Sequence, residues 1–270
     1  KKFILADTLV LVVDQILIRS NEGLATVPVT GLWIGVILSA IRVYLTFSGY
    51  ADMALGLGFM TGLRYAENFN YPFLSASLNG FLSKWMCSIT GFFQDYVLSP
   101  ITGGGKNRAF VGLLVSCVLM GLWYGASWNY LILGLFLAGF LYLEQRYFSR
   151  LSAVPGGILG VLGMLIFFLL FSFTTLPRLG LALKGLVGLN GNGFFRKEFF
   201  TMFPKALPIV ILSVLFCLPV GRILHNLYYA KCKDNLNLMT AASVWETIYP
   251  ILLLVAAVIC ILRGTPLLTL

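Results

Sequence analysis

The chain alternates between long apolar runs and short polar interruptions, without the period-two alternation of a lipid-facing strand. Runs of roughly 17–25 mostly apolar residues are long enough to cross a bilayer as helices. The first run, Phe3 to Ile18, is short and carries Asp7 and Asp14 on one helical face. That is the pattern of a segment lying at an interface or packing on a bundle. A long helix is predicted from Gly31 to Gly62. Its first half is apolar except for Arg42, and its second is rich in small residues (Ser48, Gly49, Ala51, Ala54, Gly56, Gly58). Small residues let helix backbones approach closely in a membrane. The polar A-E-N-F-N-Y-P-F at 66–73 reads as an ordered turn. From Ser75 to Leu98, Phe81, Trp85, Ile89, Phe92 and Tyr96 recur at spacings of three and four, while Lys84, Ser88, Gly91 and Asp95 mark another face. This predicts one amphipathic helix, re-entrant or interfacial, lining a wet cavity. A flexible basic loop, T-G-G-G-K-N-R at 102–108, follows. Further spans are expected near 109–123, 128–146, 156–176, 205–221 and 244–262.

Composition agrees: 59% of residues are hydrophobic, 11% are charged, and the mean hydropathy is +0.91. Soluble domains carry about 25% charge, so this chain belongs in lipid. All-α organisation follows, because lipid cannot satisfy the backbone of an open sheet. The net charge of +9 is the excess that membrane proteins place in cytoplasmic loops, and no basic patch interleaved with aromatics points to nucleic acid. Positive residues fall on too many loops to fix an orientation. The five cysteines form no CxxC pair, so neither a metal site nor a disulfide framework is expected. Gly103-Gly104-Gly105-Lys106 lacks P-loop spacing and reads as a surface loop. The chain opens on Lys1 with no initiator Met, which fits a piece of a longer protein.

Two segments are too specific for generic membrane sequence: F-S-G-Y-A-D-M-A-L-G-L-G at 47–58 and E-N-F-N-Y-P-F at 67–73. Lys84-Trp85, F-F-Q-D-Y at 92–96, Pro100 with its glycine loop, and G-L-W-Y-G-A-S-W at 121–128 follow in order. Together these resemble the membrane-bound O-acyltransferase family, in particular its bacterial alginate O-acetyltransferase and D-alanyl-lipoteichoic acid acyltransferase branch. The resemblance covers residues 1 to about 190 and continues weakly through the spans of 191–270. It implies a single membrane-embedded domain: polytopic, with re-entrant helices around a tunnel, in the bacterial cytoplasmic membrane. It also implies acyl transfer from a thioester donor (acyl-CoA or an acyl-carrier protein) to a hydroxyl of an extracytoplasmic polymer. Other envelope-modification proteins are expected partners, and no bound cofactor is expected.

The family's histidine base stands in a Gly-Leu-Trp-His-Gly motif, and a second histidine follows the tryptophan of the amphipathic helix. Here those positions are Tyr124 and Met86. Imidazole suits proton abstraction at neutral pH, whereas a phenol is ionised to only about one part in a thousand at pH 7. Tyr124 is therefore a proton donor or substrate anchor, or a packed core residue, and Met86 is a cavity filler. The lone histidine, His225, ends a span outside any family motif and reads as interfacial. Asp95 keeps its family context and is either catalytic or a structural contact to Lys84 or a loop. Trp85, Trp123, Asn68, Asn70, Tyr50 and Arg42 complete the candidate tunnel lining. An arginine inside a span costs about 2.5–3.5 kcal/mol, so Arg42 should pair with Asp95, Asp14 or an anionic ligand, or snorkel to an interface. Retained architecture with altered site chemistry leaves two readings open: a transferase with a rearranged site, or a non-catalytic binding or passage scaffold.

Overall fold

The computed structural model describes residues 1–17, 21–103, 108–148, 152–173, 175–195, 203–232 and 236–263; among these every regular element is helical. A π-helical stretch, Lys2–Ala6, leads into α1 (Asp7–Ile16), and a short α2 (Asn21–Ala25) precedes the 32-residue α3 (Val29–Met60). Pro28 stands before the first residue of α3, and the extended backbone of that N-cap sets the start of the helix. Leu9, Val12, Val13 and Ile16 form the buried stripe of α1 against α3. Gly35 of α3 faces Leu17 and Ile16 so closely that a side chain there would clash. Asp7, expected on a polar face, is bonded to the Lys2 ammonium.

After α3 the chain runs through the turn at 66–71, a 3₁₀ turn (Pro72–Leu74), α4 (Leu78–Leu82), α5 (Cys87–Phe93), a π-helical stretch (Gln94–Leu98) and α6 (Ser99–Thr102). The single amphipathic helix predicted over Ser75–Leu98 is therefore broken into pieces. Ser77 caps α4 by accepting a hydrogen bond from the Gly80 amide, and the helix stops at Leu82. Met86 then adopts φ +47°, a left-handed conformation that no helix continues through. Periodicity could not show this, because α4 and the segment around Trp85 both bury their apolar residues in one core.

Helices α7 (Ala109–Tyr124) and α8 (Trp128–Arg146) form a close antiparallel pair. Gly121 lies against the Tyr130 carbonyl and Gly134 against the Cys117 carbonyl, so the two backbones touch where neither residue has a side chain. α9 (Ala153–Ser172) crosses α3, with Ser39 and Ser172 sharing a 2.8 Å hydroxyl hydrogen bond at the contact. α10 (Leu176–Leu186), α11 (Phe203–Cys217), α12 (Val220–Cys232) and α13 (Leu236–Arg263) complete the chain.

Helices are present at the expected 31–62, 109–123, 128–146 and 156–176 with ends shifted by a few residues, but those at 109–123 and 128–146, expected as spans, do not have the length and apolarity of a crossing helix. α10 and α12 are additional, their polar residues having made them read as loops. By length and apolarity, Val29–Met60 and Val154–Ser172 can each cross a membrane. Ala206–Cys217 and Val220–Tyr229, bent by 65°, can serve as one broken span. Ala109–Tyr124 and Ile248–Ile259 are apolar but shorter. The glycine-lysine loop at 104–107 and the side chain of His225 lie outside the described residues.

Candidate functional site

The break between α4 and α5 is built by the turn at 66–71. Asn68 accepts the Cys87 amide on its carbonyl (2.9 Å), and its Oδ1 accepts both the Ser88 amide and the Ser88 hydroxyl (each 2.9 Å). The Asn70 amide donates to the Lys84 carbonyl at 3.1 Å. These bonds flank Trp85 and Met86 on both sides. Among the described residues, Met86 and Tyr71 are the two non-glycine positions with positive φ, one at each edge of this brace. A side chain held in that region stores strain, which persists only where its surroundings over-determine it. Cys87 donates its thiol to the Ser83 carbonyl at 3.3 Å, and burial pushes its pKa up, so the thiol stays protonated in that role.

Trp85 is 0% exposed and Met86 4%. The indole stacks on Phe81 (5.4 Å, 21°) and takes the edges of Phe69 (5.2 Å) and Phe168 (5.4 Å). Phe167 lies 6.0 Å from Trp85 and 6.5 Å from Tyr124, while Phe171 packs edge-on to Tyr124 at 5.3 Å. Trp85 and Tyr124 thus belong to one aromatic cluster, with the buried Met86 next to Trp85 in the chain. The Tyr124 hydroxyl and the indole Nε1 come near enough to interact, yet both are buried and neither makes a well-formed hydrogen bond. Gly125, extended at the end of α7, leaves room for the Tyr130 ring beside it.

On the other side of Phe69 an open cleft of about 520 Å³ is lined by Lys1, Tyr44, Asp52, Glu67, Asn68, Tyr71 and Arg222, among others. Two ion pairs cross it. Lys1 meets Asp52 at 2.7 Å, and Arg222 meets Glu67 at 3.3 Å while its guanidinium lies over the Tyr71 ring at 5.4 Å. A second open cleft, about 810 Å³, shares Ala51, Leu55, Glu67 and Asn68 with the first and reaches Cys87 and Ser88.

The other candidates lie apart. Tyr50 is 52% exposed, with the Lys2 ammonium 6.0 Å from its ring, and Trp123 is 53% exposed, although its ring meets Tyr124 edge-on at 5.5 Å. Asn70 is exposed and acts through its backbone. Asp95 is exposed on the π-helical stretch, and among the described residues no ion pair joins it to Lys84. Arg42 is half-buried inside α3, its carbonyl accepting the Thr46 hydroxyl at 2.9 Å. Pairing within a sequence window could not reveal Arg222, which is 155 residues from Glu67 and sits on a helix that reads as a polar connection. Phe167 reads in the sequence as an ordinary member of a span.

No family model matches the chain. It is 35% identical over 158 residues (57% of this chain, 30% of the relative) to a protein named probable alginate O-acetylase AlgI from Azotobacter vinelandii. It is 28% identical over 168 residues (59% and 32%) to a peptidoglycan O-acetyltransferase from Helicobacter pylori. It is also 33% identical over 108 residues (37% and 27%) to a teichoic acid D-alanyltransferase from Bacillus subtilis. The chain spans about a third or less of the length of these curated relatives. All three relatives are membrane-bound O-acyltransferases, and the chain is homologous to them over the stretches given.

Proposed function

We propose that this chain is the membrane-embedded core of an acyltransferase of the bacterial cytoplasmic membrane. It would handle an acyl group, acetyl or similar, on its way from a thioester donor to hydroxyls of an extracytoplasmic envelope polymer. The observation carrying this reading is the meeting of two distant segments: the strained break bearing Met86 and the end of α7 bearing Tyr124, joined through Trp85 and Phe167. The names of the relatives supply the chemistry, since they denote acetyl or D-alanyl transfer in the cell envelope. Polytopic helices around a tunnel, with clefts opening at the 66–71 turn, form the expected path. An acyl-carrier protein or acyl-CoA is the expected donor. Tyr124 serves here as a neutral hydrogen-bond donor, because a phenol at neutral pH is a poor base.

A second reading has its own support. The Tyr124 ring is enclosed by Phe167 and Phe171, which is what a packed residue in a non-catalytic binding or passage scaffold would show. Purified protein in lipid, supplied with a radiolabelled acyl thioester and a polymer acceptor, separates the two. Transfer that falls at least tenfold in Tyr124→Phe supports the enzyme. Absent transfer, or transfer indifferent to Tyr124, supports the scaffold. Gain of transfer in a Tyr124→His, Met86→His double variant would show an intact path around an altered site.

A further inference from the structure

Helices α11 and α12 are held in different ways. α11 packs against α3 and α1, whereas the packing of α12 is chiefly with its own neighbours in the chain, α11 and α13. The 65° bend between α11 and α12 lies at Leu218–Pro219. There the Leu218 amide turns back to the Leu215 carbonyl (3.2 Å), and the Ile223 amide restarts the helix on the Pro219 carbonyl (2.9 Å). Proline has no amide to bond to the preceding turn, and its ring disfavours helical backbone at the residue before it, so this joint bends easily. A second arrangement is open to the pair on length alone. Straightened, residues 206–229 would reach about 36 Å, enough to cross a hydrocarbon core of about 30 Å.

One turn beyond the joint, Arg222 reaches from α12 to the 66–71 turn. A guanidinium nitrogen donates to both carboxylate oxygens of Glu67 at 3.3 Å, and the guanidinium lies over the Tyr71 ring at 5.4 Å. All three residues border the 520 Å³ cleft, so the contact that holds α12 in its bent position is also part of the cleft wall. The Arg222 and Glu67 side chains are 54% and 61% exposed. An exposed ion pair and an exposed cation–π contact are each weak, and together they favour the bent arrangement by about tenfold. That is enough to set a resting place for α12 and too little to lock it.

We propose that α12 is a gate on this cleft, with the Arg222 contact to Glu67 and Tyr71 as its latch. Release of the latch lets α12 swing about Leu218–Pro219 and withdraws Arg222 from the cleft wall. The use of such a gate rests on the acyl-handling reading above, which takes this cleft as part of the path; the motion itself does not.

Double electron–electron resonance on the protein in lipid nanodiscs measures the swing. Nitroxides are carried by a genetically encoded keto amino acid at two exposed positions, Met60 at the end of α3 (84% exposed) and Leu227 on α12 (58% exposed), which leaves the native cysteines untouched. The unaltered protein should show one main distance. In Glu67→Gln and in Arg222→Gln a second distance, several ångströms away, should gain about tenfold on the first. Combining Glu67→Arg with Arg222→Glu should reverse part of that gain, because the ion pair is rebuilt with its charges exchanged. A distance distribution that both single variants leave unchanged overturns the gate, and so does an exchanged pair that behaves like the single variants. No acyl donor is present in this measurement, so either outcome leaves the acyl-transfer reading to its own assay.

Discussion

Met86 caps the start of α5 in a left-handed turn whose flanking peptides are bonded to Asn68 and Asn70, whereas Tyr124 ends a 16-residue helix and is held by rings. The two positions share one cluster but are specified differently. At position 86 the backbone is dictated by hydrogen bonds from a turn, so the side chain can change while the geometry stays. At position 124 the location follows from helix packing, and the environment of the side chain depends on what surrounds it. A side chain can therefore be exchanged at either place without loss of the architecture.

The largest expected effect comes from removing what joins the two positions. Trp85 touches Phe69, Phe81, Phe167 and Phe168, and Trp85→Ala should cost about 3–5 kcal/mol, the range for a large buried aromatic. Denaturant unfolding in detergent, followed by circular dichroism, measures it. A loss below about 1 kcal/mol would mean that Trp85 does not anchor the cluster. Next comes the brace. Asn68→Ala strips the acceptor from the Ser88 amide and hydroxyl and should cost about 1–3 kcal/mol, while Asn68→Asp keeps the acceptor and should cost less than half as much. Equal losses in the two variants would show that the acceptor is not what counts.

Position 86 then allows the backbone to be separated from packing. Met86→Leu and Met86→Ile are close in volume, but a β-branched side chain fits φ +47° badly. The isoleucine variant should be less stable than the leucine variant by about 1 kcal/mol. Indistinguishable variants would mean that the left-handed turn relaxes at little cost. No comparable difference is expected between β-branched and unbranched residues at position 124, where the helix extends through Tyr124.

These contrasts also explain what could be read from the sequence. Helices α3, α7, α8 and α9 follow from apolar run length, a property each segment carries within itself. The 66–71 turn was legible from its polar residues and proline. The break at Ser83–Met86 was not, because its cause lies in hydrogen bonds from Asn68 and Asn70, more than a dozen residues away, while the apolar spacing runs on through it. The cleft was legible only in part. Asn68 and Glu67 stood out as unusual polar residues, but Arg222 reaches Glu67 from a helix whose mixed composition concealed it. Asp95 and Tyr50 stand out by residue type or motif position, yet their side chains are exposed; Trp123 is half-exposed and meets the cluster only through the Tyr124 ring.

The smallest expected change in stability is the one that bears most on the comparison. Tyr124→Phe removes a buried hydroxyl whose only neighbour of the right kind, the Trp85 indole N–H, is not well placed for a hydrogen bond, and leaves the ring contacts with Phe167 and Phe171 in place. An ordinary buried tyrosine loses stability on this change because its hydroxyl has a partner. Here the protein should be unaltered or more stable by up to about 1 kcal/mol, since an unsatisfied polar group leaves the core. The Met86 slot offers no such substitution, because its strain lies in the backbone and no single-atom change removes it. Thermal unfolding of the two proteins side by side decides the matter: a loss above about 1 kcal/mol would reveal a structural partner for the hydroxyl. An unchanged or raised midpoint would mean that the phenol oxygen is kept at a cost to the fold, as expected of a group whose partner is a ligand.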